Sequence, residues 1–275
     1  MAKFKIKDNK LIKCDSKEAV IIIPDNVRII GKDSFRSNSY VQKIIMNDNV
    51  ELLEQTAFYD CINLETVVLS NKIDNIPNSC FGCCYKLKNI NLDNVTILHD
   101  YSFMNCHSLE TITLSKNIYK IASQVFENCY ELKNIANLEN VKILHSATFN
   151  NCKKITEFKF NEGLELIGSK TFYGCSSLKK IYLPKSLKEV NKLFLADISS
   201  HFDIIYNGDS ITWQQLTENK SVCVSSSTQN DFHYYGYDVD KYISSIWETY
   251  QMVDRRLDFT VHCLEDNVKI ENKGQ

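Results

Sequence analysis

Residues 95–114 read VTILHDYSFMNCHSLETITL, and the chain repeats this unit with small variation from about residue 20 to 190. Its phenylalanine recurs as Phe35, Phe58, Phe81, Phe103, Phe126, Phe149, Phe172 and Phe194, at intervals of 22 or 23 residues. Three residues after each of the six central phenylalanines stands a cysteine: Cys61, Cys84, Cys106, Cys129, Cys152 and Cys175. Three further on comes Leu64, Leu87, Leu109, Leu132, Ile155 or Leu178, and before each phenylalanine lies an apolar pair such as Val95 and Leu98 or Val141 and Leu144. A unit of this size cannot bury its own apolar face. Stacked copies set like residues above one another and so make a continuous core.

Within the unit, L-x-x-I-x-L (Leu64 to Leu69, Leu109 to Leu114) alternates apolar and polar residues at period two, which predicts a short strand buried on one side. The V-x-x-I segment predicts a second, shorter strand, and the stretch around F-x-x-C a tight helical turn. After about residue 190 the period ends. There Asp240 to Arg256 reads as an amphipathic helix, 221–231 as a polar loop, and Leu257 to Cys263 as a strand.

The full pattern V-x-x-I-x-x-x-x-F-x-x-C-x-x-L-x-x-I-x-L resembles the BspA-like, or Treponema-type, leucine-rich repeats over residues 20–190. Val20 to Val27 resembles that family's entry into the first coil, and Ile204 to Gly208 with Trp213 its terminal motif. The resemblance implies an α/β solenoid of parallel β-sheets, with about eight coils of 22–23 residues and a C-terminal α+β capping region. The expected division is an N-terminal cap (1–19), the solenoid (20–195), and a C-terminal cap with an acidic, tyrosine-bearing tail (196–275). It also implies a binding scaffold, since the family includes surface adhesins that contact host proteins and shares no catalytic residue.

Composition narrows function by exclusion. Of 275 residues, 44% are hydrophobic and 24% charged, which excludes a disordered chain. A formal charge of −2 gives the whole molecule no pull on nucleic acid or anionic membrane. The charge is uneven, with 7 basic and 13 acidic residues in 191–275 leaving 25 and 21 in 1–190. Charges interrupt the N-terminal MAKFKIKDNKLIKC before a secretory apolar stretch can form, so the expectation is a cytoplasmic protein, or an extracellular one if a signal was trimmed. The eleven cysteines then read as free thiols. Equivalent cysteines in stacked coils have parallel Cβ vectors, which disfavours bridges, and Cys80-x-x-Cys83 has no second pair at zinc-finger spacing. His99 and His145 share a repeat position two coils apart, too far to share a metal. Cys223, Asp231, His233, His262 and Cys263 match no protease signature, and nucleotide-binding, zinc-protease and hydrolase motifs are absent. No cofactor and no metal are expected.

What remains is a surface. The outward column between the strand anchors reads Ile45, Val68, Asn91, Thr113, Ala136, Lys159, Tyr182, and neighbouring columns add Glu65, Lys88, Glu110, Lys133, Glu157, Lys179 and Lys180. The expected binding residues are Val68, Asn91, Thr113, Lys133, Lys159, Lys179, Lys180 and Tyr182 on this face, with Tyr234, Tyr235 and Tyr237 in the tail. The expected role is a non-enzymatic module binding a protein partner; the alternatives are a cell-surface adhesin domain, or a phage-type inhibitor of a nucleic-acid-binding defence enzyme.

Overall fold

The computed structural model describes residues 3–191, 193–195, 198, 201–218 and 259–272. The helix expected over 240–256, the loop over 221–231 and the tyrosines at 234, 235 and 237 lie outside them. The repeats wind into a solenoid with three sides. The L-x-x-I-x-L segments form the main sheet, hydrogen-bonded in three runs: Val20–Ile22, Lys43–Ile45, Thr66–Val68 and Asn89–Ile90; Thr111–Thr113 and Asn134–Ala136; Glu157–Lys159 and Lys180–Leu183. Within each run neighbours are parallel and in register by one repeat, as in Ile21↔Ile44 and Phe158↔Ile181. The V-x-x-I segments form a second sheet of parallel two-residue strands in two runs, Ile29–Ile30 with Leu52–Leu53, and Asn75–Ile76 through Glu189–Val190.

The third side holds the F-x-x-C segments, and here the expected helical turn is corrected. The two residues flanking each phenylalanine at a distance of two take left-handed backbone: Thr56 and Asp60 around Phe58, Tyr101 and Asn105 around Phe103, Gln124 and Asn128 around Phe126. Handedness therefore alternates, and three amides per coil point along the solenoid axis. Thr56, Phe58 and Asp60 donate to the carbonyls of Asn78, Cys80 and Gly82 at 3.1, 3.0 and 2.8 Å. Left-handed backbone costs about 1–2 kcal/mol for most residues, and these inter-coil bonds offset it. Side chains extend the same ladder, as Asn151 donates to Asn128 and Asn128 to Asn105, both at 2.8 Å.

Inside, the phenylalanine rings from Phe35 to Phe172 stack face to face with centroids 4.8–6.1 Å apart, each fully buried. Offset stacking adds about 0.5–1.5 kcal/mol per pair beyond burial. The cysteines are buried free thiols with a role of their own. Each ladder Sγ–H donates to the carbonyl of the phenylalanine one coil earlier, from Cys61 to Phe35 at 3.1 Å through Cys175 to Phe149 at 3.2 Å. Cys129→Ser should therefore cost about 1–3 kcal/mol. The shorter C–O bond draws the hydroxyl back from the Phe103 carbonyl, now at 3.3 Å from Sγ. An unchanged denaturation midpoint would mean that the site relaxes around serine.

Both ends are closed in part. At the N-terminus a hairpin of Phe4–Lys7 and Lys10–Cys14 extends the second sheet by pairing with Ile29–Ile30. At the C-terminus Phe202–Tyr206 and Phe259–Cys263 continue the main sheet in parallel, and Val268–Asn272 ends it antiparallel. A helix, Ser210–Glu218, is capped by Asp209, whose carboxylate accepts from the Thr212 amide at 2.8 Å. It buries Trp213 against Tyr206, ring centroids 5.3 Å apart, and Leu183, Leu187, Val190 and Phe194 are all buried.

Candidate interaction face

Along every main-sheet strand the middle residue is directed into the core and its two neighbours outward. Two outward columns result, Val20, Lys43, Thr66, Asn89, Thr111, Asn134, Glu157, Lys180 and Ile22, Ile45, Val68, Asn91, Thr113, Ala136, Lys159, Tyr182. A parallel sheet is usually covered on both faces. Among the described residues no strand or helix lies over this one, and its N-terminal end is apolar: Ile22 is 65% exposed, Val20 51% and Val68 39%.

The predicted residues share this face but differ in availability. Val68 and Thr113 are open. Asn91 is engaged, its Oδ1 accepting from the Leu69 amide at 2.9 Å, where the main sheet lacks a recorded pairing with the next strand. Lys133 pairs with Glu110 at 2.9 Å, which holds the lysine pKa up and that of the exposed carboxylate down. Lys159 lies over the Tyr182 ring, 5.7 Å from its centroid. Lys180 sits between Glu157 and Asp203 on the adjacent strands, so the C-terminal end is not a bare positive patch. Lys179 is exposed beside it.

Three features escaped the sequence reading. Val20 and Ile22 register there only as an entry into the first coil. At the corner before the main strand, Tyr85, His107 and Tyr130 stack at 4.8 and 4.6 Å, with Lys153 4.7 Å from the Tyr130 centroid. Their signal was the shared position four residues after phenylalanine; burial lowers the His107 pKa. In the cap, His262 approaches Asp203 at 3.2 Å and His201 lies 3.8 Å from the same carboxylate.

Reactive chemistry finds little support among the described residues. Burial pushes the ladder thiols up, Cys61 and Cys175 to about 12, far from a nucleophile's range. Burial also holds the His145 pKa down, with Lys120 adding to it. Among the described residues no group of three His, Cys, Asp or Glu side chains is placed to hold a metal ion. No helix among them is long and apolar enough to cross a membrane. A shallow concavity of 220 Å³ at the N-terminal end is polar, lined by Lys13, Lys17, Arg36, Asn38 and Tyr40 among others.

Comparison with known proteins agrees with this architecture. The family model of the BspA type leucine rich repeat region matches residues 5–133 and 86–200. Among solved structures, the Treponema pallidum leucine rich repeat protein superposes with a TM-score of 0.57 at 19% identity, over 64% of this chain and 87% of that one. A leucine rich cell surface protein from Faecalibacterium prausnitzii gives 0.45 at 17% identity, over 80% and 98%. A leucine-rich repeat protein from Bacteroides ovatus gives 0.45 at 18%, over 75% and 69%. No curated protein matches at a significant level.

Proposed function

The chain belongs to the BspA-type leucine-rich repeat family, and from that membership we propose that it is a non-enzymatic module that binds a protein partner on the outer face of its main sheet. One observation carries this reading. The face is a parallel sheet that no described strand or helix covers, and its outward columns run from the apolar Val20, Ile22, Ile45 and Val68 to the Lys159–Tyr182 pair. An exposed apolar patch that grades into an amphipathic, charged region is the composition of a protein-binding surface. Rigidity helps, since the columns are fixed by inter-coil hydrogen bonds and little ordering entropy is lost on docking.

Partner capture from the native cell, followed by substitution, tests the proposal. Val68→Glu with Thr113→Glu should reduce capture more than tenfold at an unchanged melting temperature, because both side chains project into solvent. Ile97→Glu, exposed on the second sheet, should leave capture intact. The opposite pattern would move the site to the second sheet.

A further inference from the structure

The main sheet has an N-terminal edge as well as a face. Its first strand, Val20–Ile22, pairs on one side only, with Lys43–Ile45. On that side the Ala19 carbonyl accepts from the Gln42 and Lys43 amides at 2.7 and 2.9 Å, and the Ile23 amide donates to Ile45 at 2.9 Å. Main-chain groups of successive strand residues alternate sides. The N–H and C=O groups of Val20 and Ile22 therefore point away from the sheet, and no described strand meets them.

The other three sheet ends are guarded. Phe4–Lys7 places exposed Lys5 and Lys7 at its edge, Val268–Asn272 carries a Lys269–Glu271 ion pair at 2.8 Å, and the Ser210–Glu218 helix packs on Glu189–Val190. Charge and cover are the usual devices that keep a sheet edge from pairing. Among the described residues the first strand has neither. It carries two of the most exposed aliphatic side chains among them. Because the N-terminal hairpin extends only the second sheet, no described strand continues the main sheet beyond Val20–Ile22.

The flanking charge identifies the occupant. Residues 1–18 hold six lysines against Asp8, Asp15 and Glu18. Lys10 is paired with Glu54 at 2.7 Å, Lys17 lies over the Tyr40 ring at 5.4 Å, and among the described residues Lys5, Lys7 and Lys13 meet no carboxylate in an ion pair. We propose that the Val20–Ile22 edge accepts an extended segment of another protein as an added strand, one bearing both apolar side chains and carboxylates. Apolar side chains would lie beside Val20 and Ile22, and the carboxylates would be drawn by the net positive charge of residues 1–18. Main-chain hydrogen bonds supply affinity in this mode and alternate side chains supply selectivity. A second copy fits poorly, since edge-to-edge pairing drives two lysine-rich hairpins together. The edge is a site separate from the sheet face, and either can fail without the other.

The test measures anisotropy of three labelled peptides titrated with the full chain: alternating valine and glutamate, alternating valine and lysine, and glutamate alone. The first should bind, with each of the others at least tenfold weaker. Ile22→Pro, which deletes only an outward N–H, should weaken binding at least tenfold at an unchanged melting temperature. Lys17→Glu, which gives up only an exposed contact with the Tyr40 ring at 5.4 Å, should weaken the glutamate peptide and not the lysine one. The proposal is overturned by absence of binding, by equal binding of all three peptides, or by indifference to Ile22→Pro. Sedimentation that shows a dimer dispersed by Ile22→Pro would assign the edge to a second copy and overturn it as well.

Discussion

Alkaline titration should unfold this protein in one steep step beginning near pH 9.0, the ordinary thiol value, with thiolate absorbance rising only as the secondary structure is lost. The cause is the cysteine ladder. Each of Cys61, Cys84, Cys106, Cys129, Cys152 and Cys175 is buried, and burial raises its pKa in the fold, to about 12 for Cys61 and Cys175. Below the unfolded value both states hold the proton, and the stability is fully present. Between 9.0 and the folded value only the unfolded chain releases it, so stability falls as pH rises through that window. One such thiol contributes up to about 1.4 kcal/mol per pH unit, so six give a slope of roughly 8. A domain's total stability is only about 5–15 kcal/mol. Circular dichroism and ultraviolet thiolate absorbance followed together decide the matter: thiolate appearing well before the structure is lost would show the ladder to be open to water.

The ladder itself was legible because stacking forces equivalent positions to carry equivalent residues, and Phe58, Phe81 and Phe103 announce this by spacing alone. The third side was harder to read. Left-handed backbone at Asn105 and Asn128 suits asparagine, yet Tyr101, Gln124 and Lys170 hold it too. Inter-coil hydrogen bonding imposes the conformation there, and no residue type records it. The face was legible as columns, but one charged neighbour at its C-terminal end was not. Asp203, which lies beside Lys180, stands past the last repeat, where counting by period stops. The open edge was hidden for a topological reason. Val20-Ile-Ile-Ile23 reads like any core strand, and only the path of the hairpin into the other sheet shows that no described strand pairs with its outer side.

Phe126→Ala should divide the solenoid, giving two unfolding transitions in place of one. A buried phenylalanine replaced by alanine costs about 3–5 kcal/mol, through lost transfer and the cavity left behind. At Phe126 the cavity opens between two stacked rings, Phe103 at 5.8 Å and Phe149 at 5.7 Å, so both neighbouring interfaces weaken at once. Stability in a stacked array is close to a sum of coil and nearest-neighbour terms, and a weak link mid-array uncouples its halves. The N-terminal half keeps the hairpin and the C-terminal half keeps the Trp213 helix, so each retains one closed end. Phe35→Ala provides the contrast, because that ring stacks on Phe58 alone, at 4.8 Å. It should fray the first coil and lower the main transition by less. Hydrogen exchange would show protection lost around Thr111–Thr113 and Asn134–Ala136 in the first variant, and near Lys43–Ile45 in the second. Equal losses in the two variants, each with a single transition, would mean that cooperativity spans the whole array and that the phenylalanine stack is not what couples its halves.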